Sequence, residues 1–252
     1  MNFSVCIKQV PDVATSTRLQ DGRIVMDNER MVLNAYDASA VEECLVLREA
    51  HGGEIDVVLI GPERASETIR KALAMGADRG THILVDADRP FDSRQYATIL
   101  AAHFRNSMPD VIACGKQAQD TDSGLTGGML ASMLGIPYTT NAVGLALEPD
   151  ALVVTRQGDT GLEMVALPFP SLVTCSNDMN DPRIPALRGI MLSKKKPITQ
   201  VTLDELNVES DLALAEAKAV DIREFKAQPP RPQGKLFEGE VSEIIAQLMA
   251  EL

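Results

Sequence analysis

The stretch that decides the fold is GKQAQDTDSGLTGGMLASML, which runs from Gly115 to Leu134. An apolar run, DVIAC at 110–114, precedes it and is typical of a buried strand. Apolar residues at helical spacing follow the polar loop: Leu125, Met129, Leu130, Met133 and Leu134. The order strand, loop, helix therefore predicts one half of a β-α-β unit.

The loop in this stretch is rich in glycine, which lets the backbone come close to a ligand. The N–H groups at a helix start attract an anion such as a phosphate, and we expect Gly127 and Gly128 to lie where that backbone meets it. Thr126 adds a hydroxyl, and the predicted helix caps are Asp120, Asp122 or Ser123. A purely structural interpretation, in which the glycines only permit the turn, stays open because no Lys follows the paired glycines as in a P-loop.

Outward from this stretch, the first 137 residues alternate strand-like and helix-like segments, which favours a parallel sheet flanked by helices. The expected strands are Phe3–Val10, Glu54–Ile60, Thr81–Val85 and Val111–Cys114, and the expected helices are Asp37–His51, Glu63–Ala77 and Ser93–Asn106. Ser39 and Glu42 fit a capping box at the start of the first helix. In such sheets ligands bind beyond the carboxyl ends of the strands, here Lys8-Gln9, Ile60-Gly61-Pro62 and Gly115-Lys116-Gln117.

After Pro137 the strand-like segments lie close together, which indicates an antiparallel addition. These segments are Thr139–Leu147, Leu152–Arg156, Leu162–Leu167 and Ser171–Cys175. The predicted class is α/β, with a largely parallel, Rossmann-like sheet flanked by helices, an antiparallel addition and a C-terminal arm. We expect an α/β domain over residues 1–206 and an arm with a final amphipathic helix over 207–252. Such a helix packs either on its own domain or on another chain, and we expect it to pack on a partner subunit.

The overall charge excludes some classes of partner. With 36 acidic and 24 basic residues the net charge is −12, which argues against nucleic acid and anionic membranes. The chain has no apolar run long enough to span a bilayer, and its start has neither a signal peptide nor a transit segment, so we expect a cytoplasmic protein. The four cysteines and three histidines lack the spacing of a metal site, and we expect no metal and buried free thiols.

The segment 180–197, NDPRIPALRGIMLSKKKP, is a candidate docking loop. Pro182 and Pro185 oppose early helix formation, which favours a surface position for the apolar residues that follow. A lysine run in an acidic protein is usually a solvated helix end. Beside an exposed Leu it also suits docking of a negatively charged partner. The candidate docking residues are Leu187, Ile190, Met191, Lys194, Lys195 and Lys196.

Taken together, these motifs resemble the beta (small) subunit of electron-transfer flavoprotein. The resemblance rests on VCIKQVPD near the start, NAYD at 34–37 before AVEECLVLREA, ALAMGADRG at 72–80, GKQAQDTDSGLTGG, and NDPRIPALRGIMLSKKK. It covers nearly the whole chain. It implies an α/β subunit that pairs with an alpha subunit carrying the redox FAD, and that acts as an electron carrier without catalytic residues of its own.

In conventional family members the beta subunit also holds an AMP with a structural role. By position, the resemblance implies that the pocket comprises Cys6, Asn34, Ala35, Tyr36, Asp37, Ile60, Gly115, Lys116, Gln117, Ala118, Gln119, Asp120, Thr121, Asp122, Ser123, Gly124, Leu125 and Thr126. Because carboxylates repel phosphate, we expect the acidic loop to contact it through backbone N–H groups.

The resemblance further implies an acyl-CoA dehydrogenase as electron donor, with Leu187 inserted into an apolar pocket of that enzyme, and a membrane or soluble quinone-linked oxidoreductase as acceptor. One feature departs from the conventional pattern. Val13 stands where conventional members often have a Tyr that packs near the partner's flavin. In this respect the chain resembles electron-bifurcating, NADH-dependent relatives, which bind a second FAD in place of AMP. The key loop reads SGLTGG instead of their TAQVGP, so we expect AMP, with the second FAD as the alternative.

Overall fold

A computed structural model describes residues 1–15, 17–21, 23–26, 30–86, 91–208, 220, 223–227, 229, 231 and 233–251. The chain divides into two compact units. The first comprises Met1–Ser16 and Met26–Asp221, and the second comprises Thr17–Val25 and Ile222–Leu252. Among the described residues, no helix combines the length and the hydropathy that crossing a bilayer requires.

The first unit is built on a nine-stranded sheet in the order β11-β10-β9-β12-β8-β1-β6-β7-β13. Its strands are β1 (Asn2–Ile7), β6 (Glu54–Gly61), β7 (Arg79–Leu84), β8 (Val111–Gly115), β9 (Tyr138–Glu148), β10 (Ala151–Gln157), β11 (Leu162–Pro168), β12 (Ser171–Cys175) and β13 (Ile198–Thr202). In the spatial order β9-β12-β8-β1-β6-β7-β13, every neighbouring pair is parallel, whereas β10 pairs antiparallel with both β9 and β11. The predicted fold class, a largely parallel sheet with an antiparallel addition, is confirmed.

Helices cover both faces of this sheet. Those of the first unit are α1 (Ala35–His51), α2 (Ser66–Met75), α3 (Ser93–Asn106), α4 (Thr126–Leu134) and α5 (Leu187–Ser193), with a 3-10 turn at Glu63–Ala65 before α2. Along β6, Val57 and Leu59 belong to the core under α1 and α2, and Val58 belongs to the core under α3 and α4. The middle of β6, VVLI at 57–60, is continuously apolar because alternate side chains must fill two different cores.

The structure corrects four details. The first strand ends at Ile7, and Gln9–Pro11 (β2) pairs antiparallel with Met31–Leu33 (β5) in a separate two-stranded sheet. The predicted capping box of α1 is wrong, because the helix begins at Ala35 and its first residues have no side-chain cap. Strand β12 is not part of the antiparallel addition but lies parallel between β8 and β9. The sequence reading also missed β13, which pairs with β7 at the sheet edge.

The second unit contains the strand pair β3 (Thr17–Gln20) and β4 (Arg23–Met26) and the helix α6 (Val241–Glu251). No residue of α6 is buried, and apolar side chains such as Val241 and Met249 are exposed. Leu252, at the end of the predicted final helix, and most of the predicted arm (209–219, 221, 222, 228, 230 and 232) lie outside the described residues. That the arm packs on a partner subunit stays a prediction.

Candidate functional site

The candidate site lies where three neighbouring parallel strands end. Strands β8, β1 and β6 are adjacent in the sheet, and Cys6 of β1 stands directly opposite Cys114 of β8 and Val58 of β6. Since all three run in the same direction, their carboxyl ends bring Cys6, Ile60 and Gly115 to one edge. The hydrogen bond with Cys114, together with burial, holds the pKa of the Cys6 thiol well above its usual range. Cys6 is therefore a neutral thiol suited to packing.

Asp37, in the first turn of α1, ties two of these strand ends to the helix. Its Oδ2 accepts a hydrogen bond from the backbone N–H of Lys8 at 2.7 Å, and its Oδ1 accepts from that of Gly115 at 3.0 Å. Burial outweighs these hydrogen bonds and raises the pKa of Asp37 from 3.8 to about 7. A side chain at position 115 would overlap Asp37 Oδ1 and the Tyr36 Cβ, so only glycine fits this contact.

Asn34 holds the loop that follows β8. Its Nδ2 donates to the Gln117 carbonyl at 2.9 Å, and its Oδ1 accepts from the Gln119 N–H at 3.1 Å. The Asn34 side chain is buried, so these two bonds satisfy both ends of its amide. This use of the side chain explains why Asn34, the residue before α1, does not cap that helix.

The acidic tip of the loop is paired within its own chain. Lys8 Nζ contacts both carboxylate oxygens of Asp120 at 2.7 and 2.9 Å and lies 5.7 Å from the centre of the Tyr96 ring. Asp122 accepts a hydrogen bond from Gln117 Nε2 at 2.8 Å, and the Ser123 hydroxyl lies 3.0 Å from that of Ser93. The carboxylates of this loop are thus already engaged by donors of the same chain.

Helix α4 starts at Thr126 and has no side-chain cap. The prediction that Asp120, Asp122 or Ser123 caps this helix is therefore wrong, because the chain leaves the tip through Gly124 in a left-handed conformation (φ +62°) and enters the helix only after Leu125. An uncapped helix start leaves its first N–H groups available to an anion.

The paired glycines at this helix start have different surroundings. A Cβ on Gly127 would lie 2.5 Å from Thr174 Cγ2 on the underlying strand β12, whereas one on Gly128 would lie 3.4 Å from the Tyr138 ring. Gly127 is thus required by helix-to-sheet packing, a reason that the sequence reading did not consider. That the backbone at Gly127 and Gly128 approaches a phosphate stays a prediction.

The structure brings every predicted cofactor-binding residue to this one edge. Asn34 and Asp37 are buried and hold the loop; Cys6, Tyr36, Ile60, Gly115, Lys116, Gln117, Ala118, Gln119 and Thr126 are half-buried; Ala35, Asp120, Thr121, Asp122, Ser123, Gly124 and Leu125 are exposed. Sequence reasoning named Lys8 at a ligand-binding strand end but left it out of the cofactor-binding residues, and it did not consider Ser93. Contact of the predicted cofactor-binding residues with a ligand stays a prediction.

Three kinds of donor at this edge could hold a phosphate: the N–H groups at the start of α4, the Thr126 hydroxyl, and the Lys8 ammonium, whose partner Asp120 is exposed at the loop tip. Half-buried Tyr36 and Ile60 offer apolar surface for a base. Among the described residues, no group of three or more His, Cys, Asp and Glu side chains has the arrangement of a metal site. The four cysteines are free thiols, and three of them are buried.

The candidate docking segment lies elsewhere in the first unit. The sequence predicted a docking loop at the surface, and the structure places a short helix in it: α5 begins at Leu187, after Pro182 and Pro185. Leu187 is 75% exposed and Met191 is 63% exposed. Ile184 and Leu192, which the prediction omitted, are exposed as well.

The three lysines of the docking prediction differ. Lys194 and Lys195 are exposed, whereas Lys196 is half-buried. Lys196 Nζ donates to the carbonyls of Leu73, Gly76 and Ala77 at 3.0, 3.1 and 2.5 Å. These carbonyls lie at the end of α2, where a cation is stabilised by the helix dipole. Lys196 therefore serves its own fold, and we exclude it from the docking surface.

Comparison with known proteins identifies the family of this chain. The model of the electron transfer flavoprotein domain matches residues 22–206. The electron transfer flavoprotein subunit beta of Bradyrhizobium diazoefficiens is 42% identical over 226 residues, which cover 88% of this chain and 89% of that protein. That of Bacillus subtilis is 33% identical over 255 residues, covering 100% and 97%. The mitochondrial subunit beta of Oryza sativa subsp. indica is 35% identical over 258 residues, covering 100% and 98%. This chain therefore belongs to the beta-subunit family of the electron transfer flavoproteins.

Proposed function

We propose that this chain, with an alpha subunit that makes most contacts to the redox FAD, carries electrons from acyl-CoA dehydrogenase-type donors to a membrane or soluble quinone-linked acceptor. Membership of the family implies the alpha subunit and association with a flavin. In this role the chain is an electron carrier and does not catalyse bond chemistry. Its residues orient the flavin-bearing partner and recognise the donor.

The exposure of Leu187 is the observation that carries the proposal. A Leu that is three-quarters exposed, with Met191 one turn further along α5, presents a compact apolar surface on an acidic protein. Lys194 and Lys195 beside it are exposed cations. An apolar anchor surrounded by charge is the arrangement expected for a transient, salt-sensitive encounter with a negatively charged enzyme.

We further propose that the site beyond β1, β6 and β8 holds AMP in a structural role. The uncapped start of α4 and Thr126 would bind the phosphate, and Tyr36 and Ile60 would contact the adenosine. A nucleotide that binds only the folded state stabilises it, by about 2.7 kcal/mol when its concentration is one hundred times its dissociation constant.

The second candidate function is that of a subunit of an electron-bifurcating, NADH-dependent flavoprotein with a second FAD in the same site. One observation favours it: Val13 occupies the position where conventional members often have a Tyr, and its side chain is 77% exposed. The loop sequence SGLTGG at 123–128 favours the AMP form instead.

The docking proposal is tested with Leu187→Ala in the co-expressed heterodimer. Truncation of an interface anchor typically costs about 2 kcal/mol, or about 30-fold in kcat/KM for an acyl-CoA dehydrogenase reduced by its acyl-CoA. FAD content, nucleotide content and Tm stay unchanged, because the side chain is exposed. Met108→Ala is the control, since Met108 is also exposed but follows α3 on the other face of the sheet. A normal donor rate in Leu187→Ala contradicts the proposal, as does an early Tm with proportionate loss of rate.

A further inference from the structure

Helix α5 does not set its own orientation. It has seven residues, and Ser193 is its only buried one. Isolated helices shorter than about 12 residues are marginal in water. Contacts at its two ends must therefore fix the direction in which Leu187 projects.

The C-terminal end of α5 is fastened to α2 by two reciprocal cations. Arg70, in the middle of α2, donates to the carbonyls of Ser193 and Lys196 at 2.5 and 2.7 Å. Lys196 in turn donates to three carbonyls at the end of α2. Gly189 lets the helices approach closely, since a Cβ there would lie 2.5 Å from the Ala74 carbonyl oxygen.

The N-terminal side is fastened to α1 by an ion cluster formed by Arg183, Glu42 and Glu49. The Arg183 guanidinium makes a bidentate contact with Glu42, with Nε and Nη2 at 2.8 and 2.9 Å from its two oxygens. Its Nη1 lies 2.6 Å from Glu49 Oε1, and the Arg183 backbone N–H donates to Glu42 Oε2 at 3.0 Å.

Asn180 adds two further hydrogen bonds on this side. Its Nδ2 donates to the Ser39 carbonyl at 3.1 Å and to Glu43 Oε2 at 3.0 Å. The segment that leads into α5 is thus bound to successive turns of α1. Both the backbone and the side chain of Arg183 take part, so the chain path is fixed at this residue.

This ion cluster contributes more to the orientation of the segment than to the free energy of unfolding. The Glu42 side chain is only 10% exposed, and burying a carboxylate offsets much of the attraction that its partner provides. Such a pair fixes the direction of the Arg183 side chain, because a planar guanidinium binds a carboxylate in one bidentate arrangement. Only three residues separate Arg183 from Leu187, and Pro185 among them restricts the backbone. A rotation at Arg183 is therefore passed on to Leu187.

We propose that Arg183, with Glu42 and Glu49, is a positioning residue for donor docking: it holds α5 so that Leu187 meets the donor in the productive orientation. This inference rests on the proposed docking function of Leu187. The Glu49 side chain is 50% exposed. Glu49→Gln therefore tests the ion cluster without leaving a buried charge unpaired.

The test measures kcat and donor KM for heterodimers carrying Arg183→Gln, Arg183→Lys, Glu49→Gln, Leu187→Ala and the double variant Arg183→Gln/Leu187→Ala. Arg183→Gln raises the donor KM about tenfold with kcat at saturating donor unchanged, and Arg183→Lys recovers part of the loss. Glu49→Gln changes KM in the same direction by a smaller factor. The double variant has the KM of Leu187→Ala alone, because Arg183 acts only through Leu187.

Arg156→Gln is the matched control, since Arg156 pairs with Glu163 at 2.6 Å on the β10–β11 hairpin, away from α5 in the sheet order. It leaves the donor KM unchanged. If Leu187→Ala raises KM but Arg183→Gln does not, or if their effects multiply in the double variant, the positioning inference is wrong while docking stands. If Leu187→Ala itself has no effect, the docking function fails first. Arg183→Gln leaves the buried Glu42 carboxylate without its cation and lowers Tm. The non-additivity of KM is therefore the decisive readout.

Discussion

The loop after β8 and helix α5 use polar side chains in opposite ways. In the loop, buried Asn34 and Asp37 bind backbone groups, and the exposed surface is made of amides, hydroxyls and paired charges. In α5, polar groups at the two ends bind α1 and α2, and the exposed surface is apolar. The first arrangement suits a small anionic ligand that needs fixed donors, and the second suits a macromolecule that needs an apolar contact on a fixed helix.

The largest expected difference between the two regions is in how stability depends on pH, because Asp37 lies at the loop and not at α5. Burial raises the pKa of Asp37 from 3.8 to about 7. The folded state therefore retains a proton that the unfolded chain releases, and the stabilisation from this group is complete below about pH 4 and is lost as the pH rises to about 7. A shift of this size corresponds to a change on the order of 4 kcal/mol.

Asp37→Asn removes this titration. The variant is less stable than the wild type at about pH 4 because its NH2 group opposes a backbone N–H, and the difference in free energy of unfolding narrows toward about pH 7.5. Urea unfolding of the purified heterodimer at several pH values measures this, and the difference between the two proteins cancels the other titrating groups. Parallel profiles would show that Asp37 is ionised in the folded state throughout this range.

A second prediction compares the two glycines at the start of α4. Gly127→Ala costs about 1–3 kcal/mol, because its Cβ meets the Thr174 methyl group and the core must shift. Gly128→Ala has ordinary contact with Tyr138 and is neutral, or stabilising by up to about 1 kcal/mol through helix propensity. The Tm of each heterodimer and its bound nucleotide are measured together. Equal loss of nucleotide from both variants, with an equal fall in Tm, would instead support close backbone approach to phosphate at both positions.

These glycines show where sequence reasoning stops. The pattern of strand, glycine-rich loop and helix predicted the location of the site, because the edge at which parallel strands end follows from their direction alone. It did not predict that Gly127 faces Thr174, because that contact depends on β12 lying next to β8. The order of strands in a sheet is decided by tertiary packing, and closely spaced strands such as β9 to β12 favour an antiparallel interpretation on local evidence.

The docking segment shows the same limit. Two prolines followed by apolar residues predicted a docking loop at the surface, but the short helix α5 within it was not predicted. The sequence could not predict which lysine is exposed and which binds α2, because Lys195 and Lys196 are chemically identical. Only the packing of α5 against α2 brings Lys196 to the α2 carbonyls.

A third prediction uses this difference between Lys195 and Lys196. Lys196→Met removes the charged donor of three carbonyls and costs about 2 kcal/mol of stability. Lys195→Met, at an exposed position, changes stability by less than about 0.5 kcal/mol and instead weakens the dependence of the donor rate on salt. Tm and the donor kcat/KM over a range of NaCl concentrations distinguish the two. A salt effect confined to Lys196→Met would mean that Lys196 belongs to the docking surface after all.

We propose that the loop site holds a mononucleotide while the flavin is held mainly by the partner. Acid release of the bound nucleotides from the purified heterodimer, identification by mass, and flavin counted by absorbance test it directly. We predict one FAD and one AMP per heterodimer. Two FAD and no AMP would contradict this assignment and place the protein with the electron-bifurcating relatives.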